Sequence, residues 1–242
     1  MKTLKWMFIV LIGVSIVVSS YLYYDSTRYE EIKVIPEHYF SLDGILEYQY
    51  PTFEIISINK SKKINRLIYD DLMRFVNYFN ELELRKLEFN YTLTLKNEQF
   101  LSIEYKGMTN YIEGYKRYYE PVYFVSNIDV KNEEILSFDD LINRESMFFD
   151  WFKGDQFIAI TQYSQEDRET FFETNSEKIA TCHNDEFINF GRCFYLNYDS
   201  IGISFPYDFR YGGVFKFQIR YDLLTDEMKT DHPFWDDIKR VD

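Results

Sequence analysis

Residues 87–106, LEFNYTLTLKNEQFLSIEYK, decide the architecture. Leu87, Phe89, Tyr91, Leu93 and Leu95 alternate with Glu88, Asn90, Thr92 and Thr94, a period of two that belongs to a half-buried strand. The alternation resumes at Phe100–Lys106, after the polar Lys96-Asn97-Glu98-Gln99. Two such runs about a short polar break predict an antiparallel hairpin.

Upstream, Ile45–Tyr50 and Phe53–Ser57 read as short strands broken at Pro51, because proline cannot donate to a ladder. Ser61 is placed to cap a helix running to Phe79, with Ile64, Leu67, Ile68, Leu72, Phe75, Val76 and Phe79 on one face at helical spacing. Asp25–Ser41 reads as a stalk. Downstream, Glu120–Val130 continues the sheet and Lys131-Asn132-Glu133 turns the chain. Ser137-Phe138-Asp139-Asp140 has the form of a capping box opening a second helix through Leu141. Ser164-Gln165-Glu166-Asp167 repeats the device before a third, which carries Phe171 and Phe172. Cys193–Asn197, Gly202–Phe205 and Val214–Tyr221 read as strands, with Tyr207–Gly213 as the loop between the last two. The expected fold is α+β, a mainly antiparallel sheet with helices packed on it. It spans residues 42–225 between the stalk (25–41) and a polar tail (226–242), and one N-terminal transmembrane helix precedes it.

That helix is read from Trp6–Tyr24, which holds no charged residue and follows a five-residue stub carrying Lys2 and Lys5. As a helix it would reach about 28 Å, close to the hydrocarbon thickness of a bilayer. Lysines at the start keep that end in the cytoplasm and send the rest of the chain outward. Tyr21, Tyr23 and Tyr24 fit an interfacial aromatic belt. The alternative is a secretory signal cleaved near Val18-Ser19-Ser20, which would release the domain from the cell. Both readings export residues 25–242.

The exported portion carries 25 basic and 40 acidic residues, a net charge of −15. Such a surface repels nucleic acid and attracts basic proteins or cations. Aromatics make up 20% of the chain, which favours sheet-rich packing and leaves tyrosines for a surface.

Cys182 and Cys193 enclose ten residues. Outside the cytoplasm they can form a disulfide worth roughly 3 kcal/mol by the chain-entropy estimate. Free thiols are the alternative. Zinc fits less well, since only His183 lies nearby and the spacing matches no standard site. His38 and His232 read as surface residues. Adjacent acids such as Asp139-Asp140 and Asp236-Asp237 point apart in a helix and serve capping or solvation. The sequence lacks a P-loop, a Rossmann fingerprint and G-x-S-x-G. No enzyme, no cofactor and no metal are expected. A glycan-active enzyme, the outlying alternative, would need two buried carboxylates sharing one cleft.

The order of several segments resembles a bacterial extracytoplasmic domain found in RsiV-type anti-sigma factors and in PdaC-type peptidoglycan deacetylases. The residues that carry the resemblance are Tyr50-Pro51 with Lys63–Ile68, Phe100–Tyr105, Ser126–Asp129, Ile135–Ile142, Phe194–Leu196, Ile201–Tyr207, Gly213 and Ile219–Asp222. The family's small-residue and histidine patch is replaced here by Gly114–Pro121, without the histidine. With five residues ahead of the apolar run, neither a sigma-binding segment nor an appended deacetylase domain is expected. What the resemblance implies is a stand-alone sensing or binding module. Its ligand is expected to be a basic extracellular protein such as a lysozyme, or else a cell-wall glycan. The candidate contact residues are Tyr111, Tyr115, Tyr118 and Tyr119, in a segment read as a loop.

Overall fold

The computed structural model describes residues 32–55, 57–79, 83–142, 158–159, 194–206, 214–224 and 231–238. The Trp6–Tyr24 run, the third expected helix and both cysteines lie outside these residues. Among the described residues no helix is long and apolar enough to cross a membrane.

The fold is α+β and its sheets are mainly antiparallel. Strands β1 (Lys33–Phe40), β2 (Leu46–Glu54), β3 (Glu83–Lys96), β4 (Phe100–Glu113), β5 (Lys116–Asp129) and β6 (Glu134–Ile135) form one sheet in chain order. The expected hairpin is β3–β4. Its loop is closed by the Asn97 side chain, whose Oδ1 accepts from the N–H groups of Gln99 (2.9 Å) and Phe100 (2.7 Å). The one parallel pairing in this sheet, Leu46–Tyr48 with Leu87–Phe89, follows from the helix α1 (Ile58–Phe79) that joins the two strands.

Three local readings change. Strand β2 runs through Pro51, which lies opposite Pro36 of β1. Neither imide nitrogen can donate, so this is a position where the two strands exchange no hydrogen bond. Helix α1 begins one turn earlier than expected, at Ile58: the Ser57 hydroxyl accepts from Lys60 N–H and Ser57 C=O takes the first helical bond from Ser61. Ser61 instead ties the helix to the strand, its Oγ accepting from Ile55 N–H at 2.7 Å. The segment read as a stalk holds β1, an edge strand with mostly exposed side chains and hence no alternation to betray it.

The apolar stripe of α1 packs on one face of this sheet. Ile64, Ile68, Leu72, Phe75, Val76 and Phe79 meet Tyr48, Leu87, Phe89, Leu101, Ile103, Tyr105, Val122, Phe124 and Ile128. Phe124 lies between Phe75 and Tyr105, with ring centroids 3.9 and 4.2 Å away.

The C-terminal strands do not extend this sheet. β7 (Ile158–Ala159), β8 (Phe194–Leu196), β9 (Ser200–Pro206) and β10 (Val214–Arg220) make a second sheet, in the order β7-β10-β9-β8. It covers the opposite face at β4 and β5, which explains why both faces of Phe100–Tyr105 are buried. Side chains of the first sheet satisfy the outer edge of β8: Ser102 Oγ accepts from Leu196 N–H (3.0 Å), and Asn127 Nδ2 donates to Phe194 C=O (3.0 Å). A strand edge is thereby closed without another strand.

The capping box forms a single turn, α2 (Phe138–Leu141), with the Asp140 carboxylate accepting from Ser137 N–H at 2.7 Å. The expected polar tail also changes. Helix α3 (Pro233–Ile238) buries Phe234 and Trp235, and Trp235 Nε1–H donates to Leu141 C=O at 3.2 Å. Two aromatics flanked by acids were enough to hide that anchor from a reading by polarity. His38 is exposed as expected, and His232 is half-buried.

Candidate functional site

The segment from Tyr111 to Pro121, read as a loop, is the end of the β4–β5 hairpin. Gly114 has φ of 61° at the first of two turn residues, between the paired Glu113 and Lys116. That is the II′ geometry, which glycine enters without strain. The register sorts the four tyrosines. Tyr111 and Tyr118 are direct partners, stacked at 5.2 Å, on the face that carries α1. Tyr119 lies on the opposite face, with the Arg117 guanidinium 5.8 Å from its ring centre. Tyr115 occupies the turn and is fully exposed. The hairpin thus brings Tyr111 and Tyr118 together and sets Tyr119 apart from them, one strand register being enough to separate neighbours. Burial and the nearby Glu120 raise the Tyr111 phenol to about 12.

Between the sheets lies a buried polar cluster that the sequence did not announce. The Glu104 carboxylate accepts from Tyr123 O–H (2.6 Å) and from Lys216 Nζ, 2.6 Å from Oε1 and 2.5 Å from Oε2. Ser204 Oγ donates to the Tyr123 hydroxyl at 2.9 Å. Lys216 also sits over the rings of Tyr123 and Tyr195, 5.5 and 5.0 Å from their centres. Burial, then Glu104, raises the phenols of Tyr123 and Tyr195. Gly202 opposes Tyr195, whose ring occupies the place a Cβ would take, so glycine is required there.

The buried carboxylates are Asp71, Glu104 and Asp129 among the described residues. Asp71 accepts from Ser126 Oγ on the α1 face of the sheet, away from Glu104. Asp129 accepts from Asn132 N–H at the β5 turn. Phe100, its β4 partner, is four residues from Glu104, an offset of roughly 13 Å of backbone along the strand. The paired carboxylates of glycoside hydrolysis stand about 5–9.5 Å apart. No three His, Cys, Asp or Glu side chains gather as a metal site among the described residues.

A groove of about 320 Å³ opens on the face of the six-stranded sheet opposite α1. His38, Glu47, Gln49, Glu88, Asn90, Lys106 and Met108 line it. These residues sit at alternate positions of β1–β4, so they share one face. Lys86 bridges the two acids, bonding Glu88 and standing 3.7 Å from Glu47. The polar members of the period-two pattern, Glu88 and Asn90 on β3, are the signal the sequence offers for it.

No family model matches the sequence, and no curated protein matches it. Solved structures similar to this chain include a DUF3298 family protein from Pseudomonas aeruginosa PAO1, at 10% identity and a TM-score of 0.45, covering 83% of this chain and 94% of that one. A second is a member of the same family from Bacteroides fragilis NCTC 9343, at 11% identity and a TM-score of 0.45, covering 87% of this chain and 98% of that one.

Proposed function

We propose that the folded part of this chain is a non-catalytic binding module held outside the cytoplasm by residues 6–24, and that its ligand is a basic extracellular protein of the lysozyme kind. The observation that carries this reading is the β4–β5 hairpin, which presents a fully exposed Tyr115 at its turn beside the stacked Tyr111 and Tyr118. Rigid tyrosines lose little side-chain entropy on contact and supply buried area, as binding hot spots do. The charge of −15 beyond residue 24 would draw a cationic partner toward the domain. The hairpin end itself is formally neutral, with Glu113 and Glu120 against Lys116 and Arg117. Attraction is therefore assigned to the whole surface and affinity to the tyrosines.

Among the described residues the buried carboxylates Glu104, Asp71 and Asp129 are each engaged in hydrogen bonds, which fits a binding rather than a hydrolytic role. The charge-free Trp6–Tyr24 run supports the membrane anchor. Capture of lysozyme by the full chain, beside an acidic protein of similar size, tests the proposal. Retention of lysozyme alone is expected, and retention of neither would overturn it.

A further inference from the structure

We infer that the groove between β1 and β4 is a binding site for a neutral polyhydroxylated ligand, a short glycan segment. It stands apart from the hairpin turn and does not depend on what that turn binds. The first observation is charge. Glu47 and Glu88 are balanced by Lys86 and Lys106, so the groove is formally neutral within a chain of net charge −13. A cationic ligand would gain nothing there that the rest of the surface does not offer. An anion would meet the repulsion of the whole domain.

The second observation is the kind of polar group present. Gln49 and Asn90 lie on neighbouring parts of the floor, and Asn90 is opposite Lys106 in the ladder. Among the described residues the side chains of Gln49, Asn90 and Lys106 make no hydrogen bond or ion pair. Each amide offers two donors and a carbonyl acceptor in one plane, and the ammonium offers donors only. A sugar hydroxyl donates once and accepts twice, so a row of hydroxyls can satisfy all three side chains.

The third observation is an apolar platform. His38 and Phe40, alternate residues of edge strand β1, stack at 6.3 Å with their planes 12° apart, and Phe40 is exposed. The negative face of such a ring suits the C–H groups of a pyranose. Met108 supplies a second apolar contact on the β4 side. The volume of about 320 Å³ is at the small end for ligand sites, the size of one or two sugar rings rather than a long chain.

The test is a titration of the full chain, in a detergent without a sugar headgroup, with chitotriose, maltotriose and a lysine oligomer, read by chemical shifts or calorimetry. Saturable binding of at least one trisaccharide is expected, with little dependence on salt. Asn90→Ala and Gln49→Ala should each weaken it about three- to tenfold, the loss of one hydrogen-bonding partner, and Phe40→Ser should weaken it further. Tyr115→Ala, in the hairpin turn, should leave it unchanged. No response to either trisaccharide, or a response to the lysine oligomer alone at these residues, would overturn the assignment. So would trisaccharide binding that survives Asn90→Ala, Gln49→Ala and Phe40→Ser in a folded protein.

Discussion

Lys216 of β10 lies within 2.6 Å of both carboxylate oxygens of Glu104 on β4, and this ion pair joins the two sheets across 112 residues of sequence. The Glu104 side chain is 8% exposed and that of Lys216 23%, so neither charge has much water to fall back on. Removing one member of a buried pair strands the other, at a cost of about 3–5 kcal/mol. Lys216→Met should therefore destabilise the fold by about that amount in urea unfolding. Glu104→Leu combined with Lys216→Met should recover a large part of the loss. Equal stability of the single and double variants would show that the pair does not hold the sheets together.

Alkaline pH should unfold the domain. Burial raises the phenols of Tyr105, Tyr123, Tyr195 and Tyr221 above their ordinary range. Below about pH 10 both folded and unfolded chains keep these protons, so the contribution is fully present. As pH rises further the unfolded chain loses protons that the folded chain retains, and stability falls. Phenolate absorbance from these four tyrosines should appear only with cooperative unfolding. Titration of these four near pH 10 in a protein that stays folded would contradict the burial.

Trp235 closes the C-terminus onto the end of the first sheet. It is buried beside Phe234 and Tyr221, with ring centroids 5.0 and 5.5 Å away, and its indole N–H reaches Leu141 C=O. Trp235→Ala should cost about 3–5 kcal/mol, the usual loss for a large buried aromatic. A loss below about 1 kcal/mol would mean that α3 is not docked.

Much of this fold can be read from short-range pattern. The β3–β4 hairpin, the apolar stripe of α1 and the Ser137–Asp140 capping box are local, and each is found where its residues predict. Distance in sequence defeats the same method elsewhere. Glu104 and Lys216 are ordinary strand charges until the second sheet covers the first, and the alternation of Phe100–Lys106 gives no sign of that cover, although the structure buries Phe100–Tyr105 throughout. β1 escapes because an edge strand around Pro36 needs no apolar alternation. The tyrosines at 111, 115, 118 and 119 are visible as a cluster in sequence, but only the register reveals that they divide between two faces and a turn.

Cys182 and Cys193 are proposed to form a disulfide that clips the chain ahead of β8. Cys193→Ser should lower the melting temperature in oxidising buffer and leave the reduced protein nearly unchanged. For a loop of this length the loss is about 3 kcal/mol. Identical melting of the oxidised wild type and Cys193→Ser would rule out the bond.

The most direct test of the central claim is the association rate of lysozyme with the immobilised full chain as a function of salt. A partner drawn by the domain's charge should bind fastest at low ionic strength, slowing as the screening length shrinks toward about 8–10 Å. Tyr115→Ala with Tyr118→Ala should then raise the dissociation rate while leaving the salt dependence in place, because charge steers the encounter and tyrosine holds the complex. Absence of binding at low salt, or binding whose rate ignores salt and whose lifetime ignores both substitutions in a folded protein, would contradict the account.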